Sequence, residues 1–190
     1  MTAKAAQCIF FVLFIFSCSS SHMSDVCSLQ LKKVNGDRFD AGVIKKNKAS
    51  AFIFLSPDCP LSQKYSLIIN DAVNSYADKK IAFYLVFSGK LYSDDEIKKF
   101  LSEYDLHAEA IKDGDKQLAS ALSASVTPEV FLLDPSGKKL YSGAIDNWFS
   151  DVSTKRETIT EHYLADAIDS FLAGASIKIP ETKPTGCIIE

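Results

Sequence analysis

Beyond the apolar run near the N-terminus, two unbroken apolar stretches, 51–55 (AFIFL) and 81–87 (IAFYLVF), stand out in a chain many of whose other hydrophobic positions alternate with polar ones or recur at helical spacing. Runs of this length mark strands covered on both faces of a sheet. Between them, from 61 to about 77, Leu61, Tyr65, Ile68, Ile69, Ala72, Val73 and Tyr76 recur at three and four, which predicts a helix. Pro60 suits its first position, where the missing donor costs little. Upstream, 27–34 alternates and Asn35-Gly36-Asp37 turns the chain, predicting an N-terminal β-hairpin. Downstream, Ser93-Asp94-Asp95-Glu96 reads as a capping box opening a helix to about 104. A short strand at 107–111, a small helix at 115–122 and a strand at 126–133 follow. Asp134-Pro135-Ser136-Gly137 turns the chain into a returning strand over 138–145, and an amphipathic helix over 158–172 ends at Gly174. The order predicts an α/β domain with a central mixed β-sheet flanked by helices.

Composition narrows the function classes. The 190 residues are 47% hydrophobic and 24% charged, with a net charge of −3, which suits one folded domain. Clustered Lys and Arg are absent, so nucleic acid is not an expected partner. Phosphate-loop, catalytic-serine and paired-carboxylate motifs are absent too. Residues 1–17 begin with Lys4 and continue in an apolar run too short to span a bilayer, the shape of a signal peptide. The run closes in Ile15-Phe16-Ser17-Cys18, which resembles the bacterial lipobox and makes Cys18 the expected lipidation site. The expected organisation is a signal peptide (1–17), a lipidated Cys18 with a polar tether (18–25), a domain (26–174) and a tail (175–190) carrying Cys187. Such a protein sits in the bacterial cell envelope, held to a membrane by its N-terminal lipid.

Cys8 leaves with the signal peptide and Cys18 is lipidated, so Cys27, Cys59 and Cys187 remain where disulfides are tolerated. Cys59 closes a buried strand and precedes a helix. A thiolate is stabilised at such a junction by unsatisfied N–H groups and the positive helix end.

The segment AFIFLSPDCPLSQKY, the stretch Val126-Thr127-Pro128-Glu129-Val130 with its apolar continuation, and the hairpin DPSGKKLYSG together resemble the thioredoxin-like superfamily. The nearest likeness is to its redoxin or AhpC/TSA-type branch, which includes exported bacterial lipoproteins. The Pro180 to Cys187 tail is similar to a C-terminal motif of such proteins. The resemblance implies that Cys59 is the nucleophile, that Pro60 opens its helix, and that Thr127 precedes a cis Pro128 beside it and offers backbone hydrogen bonds to an extended partner chain. Three departures matter. Ser62 stands where thioredoxins carry their second cysteine, Asp58 replaces the usual tryptophan, and Ile53 replaces the buried acid. Ser62 either hydrogen-bonds the Cys59 sulfur or faces water.

The resemblance therefore implies a thiol-disulfide oxidoreductase without a CxxC pair. Its partners are protein thiols and disulfides and an envelope electron donor, and it needs no organic cofactor or metal. Cys187 is the expected resolving thiol; Cys27 is the alternative, or forms a structural bridge to Cys187. A peroxiredoxin-like peroxidase is an alternative suggested by Ser56 and Cys59-Pro60, although the expected proline and arginine are missing. Copper handling by Cys59, Cys187 and His162, and a redox-inactive peptide-binding module, are the others. Trp148 and Phe149 are read as core more readily than as a partner surface.

Overall fold

The computed structural model describes residues 26–190, so the expected signal peptide, Cys18 and tether lie outside the described residues. Seven strands form one mixed sheet in the order β2-β1-β5-β4-β3-β7-β8. They are β1 (Gln30–Lys33), β2 (Arg38–Asp40), β3 (Ala49–Phe54), β4 (Ile81–Ser88), β5 (Glu109–Asp113), β7 (Glu129–Leu133) and β8 (Lys139–Gly143). β3, β4 and β5 run parallel, and their neighbours are antiparallel. Two further short strands, β6 (Val126–Thr127) and β9 (Cys187–Ile188), pair with each other outside this sheet.

The unbroken apolar runs become the centre of the sheet, and every residue of β3 is buried. Side chains alternate across a strand, so β3 feeds two cores. Ala49, Ala51 and Ile53 join one core with Ile69 of helix α2 (Ser66–Tyr76), Phe100 of α3 (Asp94–Glu103) and Ile168 of α5 (Tyr163–Leu172). Phe52 and Phe54 face the other, with Phe131 and with Leu118 of α4 (Gln117–Leu122). Burying each such side chain contributes about 1.5–3 kcal/mol. The N-terminal hairpin forms from β1 and β2, and the Ser93 capping box closes in both directions with Glu96.

Three expected elements differ. The helix over 61–77 is instead α1 (Pro60–Lys64) followed by α2, because the Ser66 hydroxyl donates to the Gln63 carbonyl at 2.8 Å and competes with the helical ladder there. The strand over 126–133 is split into β6 and β7 by a cis Thr127-Pro128 peptide. The last helix starts at Tyr163, not 158. Asn147 takes the donors before it, its side-chain oxygen accepting from the N–H groups of Thr160 at 3.0 Å and Glu161 at 3.2 Å. Gly174 ends the chain's last helical turn in the left-handed region, φ +68, as expected.

Candidate functional site

Cys59 stands where the chain leaves β3 and turns into α1. Its N–H donates to the Ser56 carbonyl at 3.1 Å, and Pro60 takes the first helical position. α1 has only five residues, so specific hydrogen bonds, more than a helix dipole, surround the sulfur. Ser62 is completely buried, and its hydroxyl accepts from the Ser56 N–H at 3.2 Å while donating to Cys59. Of the two readings of Ser62, the one that faces water is excluded.

The Thr127-Pro128 turn closes over this sulfur. In the thiol form Cys59 Sγ donates to the Thr127 carbonyl at 3.0 Å. The turn is braced by Glu129, whose carboxylate accepts from the N–H groups of Ser125 at 2.7 Å and Val126 at 3.2 Å. The buried Thr127 hydroxyl has no oxygen or nitrogen partner among the described residues, and it can donate to the sulfur once the proton has left.

The C-terminal tail completes the site from the far end of the sequence. It is fastened first to the edge strand β8: the Ser142 N–H donates to the Pro180 carbonyl at 3.1 Å, and the Thr182 N–H donates to the Ser142 carbonyl at 3.0 Å. The Ala144 N–H donates to the Thr182 hydroxyl at 2.9 Å. Gly143, at φ +129, leaves room for this approach, since a Cβ there would lie 2.8 Å from the Thr182 carbonyl carbon. The tail then reaches β6, where Cys187 pairs with Thr127 and Ile188 with Val126 in antiparallel register, and the Ile189 N–H donates to the Ser125 carbonyl at 3.0 Å. This brings the Cys187 thiol onto the Cys59 sulfur.

The electrostatics divide the two thiols. Burial pushes Cys59 up, but the hydrogen bonds from Cys187, the Ser62 N–H, Thr127 and the Ser62 hydroxyl outweigh it, and its pKa falls below the ordinary thiol value. Cys187 is pushed up to about 12 by burial, by its hydrogen bond to Cys59 and by the charges of Cys59 and Asp58. The pair therefore holds one proton on Cys187 and concentrates thiolate character on Cys59. Both are thiols in this structure. Cys59 is 1% exposed with the tail in place, whereas Cys187 is half-buried.

The other candidates are placed elsewhere. Cys27 is buried in the opposite core, beside the Gly137 turn, with the sheet between it and Cys59. The geometry thus joins Cys187 to Cys59 and not to Cys27. His162 precedes α5 and is exposed, and among the described residues no three His, Cys, Asp or Glu side chains are grouped to hold a metal ion. The Ser56 hydroxyl donates to Asp58 at 2.7 Å and lies 3.1 Å from the Tyr92 hydroxyl, so it is turned to that pair. Trp148 and Phe149 pack on Tyr65, a core role. Glu129 and Gly186 are site residues that sequence reasoning missed. A lone acid ahead of the apolar run 130–133 was the available signal for Glu129; nothing local marks Gly186.

The fold is thioredoxin-like, a mixed seven-stranded sheet flanked by helices. No protein-family model and no curated protein matches the chain. Among solved structures it is similar to a hypothetical protein from Sinorhizobium meliloti, at TM-score 0.73 and 22% identity over 87% of this chain and 91% of that one. It is equally similar to an uncharacterized conserved protein from Geobacillus kaustophilus, at TM-score 0.73 and 22% identity over 86% and 89%. It also resembles a secreted Mycobacterium tuberculosis disulfide oxidoreductase homologous to E. coli DsbE, at TM-score 0.56 and 14% identity over 80% and 98%. At these identities the likeness is one of fold.

Proposed function

We propose that the protein is a thiol-disulfide oxidoreductase of the bacterial envelope, tethered by a lipid on Cys18, that exchanges disulfides with protein partners through Cys59 and resolves them with Cys187. The observation that carries this reading is the direct contact of two thiols, one of lowered and one of raised pKa, beneath the Thr127-Pro128 turn. The secreted oxidoreductase among the similar folds supports the compartment and the chemistry.

The cycle balances as follows. The Cys59 thiolate attacks one sulfur of a partner disulfide, forming a mixed disulfide and expelling the other partner sulfur as thiolate, which takes up a proton. Cys187, deprotonated as it attacks, displaces the first partner sulfur from Cys59. The partner leaves as a dithiol and the protein as a Cys59 to Cys187 disulfide. An envelope dithiol donor returns the protein to its starting state by the same exchange in reverse. The missing CxxC is thus supplied by a thiol 128 positions away in sequence, at a loop-closure cost that grows only logarithmically with length.

A redox titration with thiol mass tags, mapped by peptide mass spectrometry, tests the proposal. The expected result is one reversible disulfide joining Cys59 and Cys187, with Cys27 unchanged across the titration. A Cys59 that pairs with neither cysteine at any potential would sink the two-thiol mechanism.

A further inference from the structure

The site is closed by the protein's own chain. Strand β9 lies antiparallel on β6, with Cys187 opposite Thr127, and while it is there Cys59 is 1% exposed and no partner chain can reach it. The partner must therefore take the place of β9. What β9 looks like then describes what fits.

Gly186 is the most restrictive position. Its backbone is not in the left-handed region, so any residue could adopt its conformation; what excludes a side chain is space. A Cβ there would stand 2.7 Å from the Thr127 carbonyl carbon and 3.1 Å from the Thr127 nitrogen, against backbone that cannot swing aside. Ile188, in contrast, is 80% exposed and sets no requirement. The next residue, Ile189, packs on the second core and anchors its N–H to Ser125, which favours an apolar side chain. Beside the strand lies a cavity of about 310 Å³, bordered by Ser56, Asp58, Leu91, Tyr92 and Glu190.

Resting on the proposed exchange chemistry, we infer that β9 is a built-in stand-in for the substrate. The substrate class is an extended polypeptide whose disulfide-bonded cysteine follows a glycine and is followed, two residues on, by an apolar side chain. Such a segment displaces residues 186–190 from β6, presents its sulfur where Cys187 stood, and is bonded by Cys59. The tail returns to β6 after the partner strand loosens, and its thiol completes the exchange.

The experiment uses the full chain and a synthetic peptide of the tail sequence TKPTGCIIE whose cysteine is capped as a mixed disulfide with thionitrobenzoate. Attack of Cys59 on the peptide sulfur releases the coloured thiolate, oxidising Cys59 and reducing the cap by the same electron pair. A second peptide carries Val before the cysteine, and neutral hydroxyethyl disulfide serves as the small control. We expect the glycine peptide to react at least about tenfold faster than the valine peptide, with Gly186→Val raising the glycine-peptide rate about tenfold by expelling the tail while leaving the preference intact. In the unmodified protein, a peptide with Ser in place of Cys should strip hydrogen-exchange protection from the Ile189 amide, a readout independent of how the variant folds. Equal rates for the two peptides, or undiminished Ile189 protection at saturating peptide, would overturn the inference while leaving the exchange chemistry standing. Release at an undiminished rate in Cys59→Ser would instead remove the proposed function itself.

Discussion

Cys59 and Cys27 are both buried cysteines, one on each face of the same sheet, exposed by 1% and 6%. Their neighbourhoods separate them. Cys27 is packed against the Gly137 turn among Val26, Phe39 and other apolar side chains of the second core. Cys59 lies in the first core but at its rim, where Ser62, the Thr127-Pro128 turn and Cys187 supply polar hydrogens and a second sulfur. Burial by itself raises a thiol's pKa and makes it inert; a buried thiol becomes a nucleophile when donors aimed at its sulfur outweigh the lost solvation. On the proposed chemistry, exposure is a poor guide to which cysteine reacts.

The sharpest way to break this comparison is to exchange the two residues' fates. Cys59→Ala should abolish disulfide exchange with any protein or peptide substrate, whereas Cys27→Ala should leave the exchange rate within about twofold and cost about 1–2 kcal/mol of stability. Stopped-flow exchange kinetics and denaturant unfolding separate these outcomes, and an inactive Cys27→Ala of normal fold would contradict the assignment. A smaller effect sharpens the electrostatic side. The Cys59 pKa lies below the ordinary thiol value, so thiolate forms as pH rises through a range below that of a free thiol. Cys187→Ala removes a donor to that thiolate, so the midpoint of the ultraviolet thiolate absorbance should move to higher pH; an unmoved midpoint would mean that Cys187 does not assist. Smallest for function is Tyr65→Phe. Tyr65 is on the Cys59 face, but its hydroxyl is engaged by the buried Asp146, at 2.6 Å, and by the Phe149 backbone, not by the sulfur. Its loss should cost about 1–3 kcal/mol in unfolding free energy and leave the Cys59 titration in place.

These contrasts also explain what could be read from the chain. β3, β4 and the Ser93 capping box were legible because their determinants are local: unbroken apolar runs, and a serine with a glutamate three residues on. Cys59 was legible as a junction residue for the same reason. The break at Ser66 and the late start of α5 were not. Each depends on one side chain redirecting backbone hydrogen bonds, Ser66 onto Gln63 and Asn147 onto Thr160 and Glu161, while the apolar period runs on undisturbed. The contact of Cys187 with Cys59 is a still longer-range matter. The sequence favoured it over a Cys27 bridge without settling it, because the pairing of Thr127 with Cys187 joins segments with no periodic or compositional link.

The two-point attachment of the tail bears on how fast a captured partner is let go. Thr182 is bound to β8 and the residue after it by hydrogen bonds to Ser142, Tyr141 and Ala144 that do not involve the site, so release of β9 need not release Thr182. Only five peptide units then separate the anchor from the Cys187 sulfur, a reach of about 17 Å when fully extended. A thiol on so short a leash is present at an effective concentration on the order of millimolar or above. An external thiol would have to match that level to intercept the mixed disulfide. In the proposed cycle, the clamp at Thr182 thus makes the second half of the exchange intramolecular, and sets its timing by the length of a leash instead of by the supply of thiols outside.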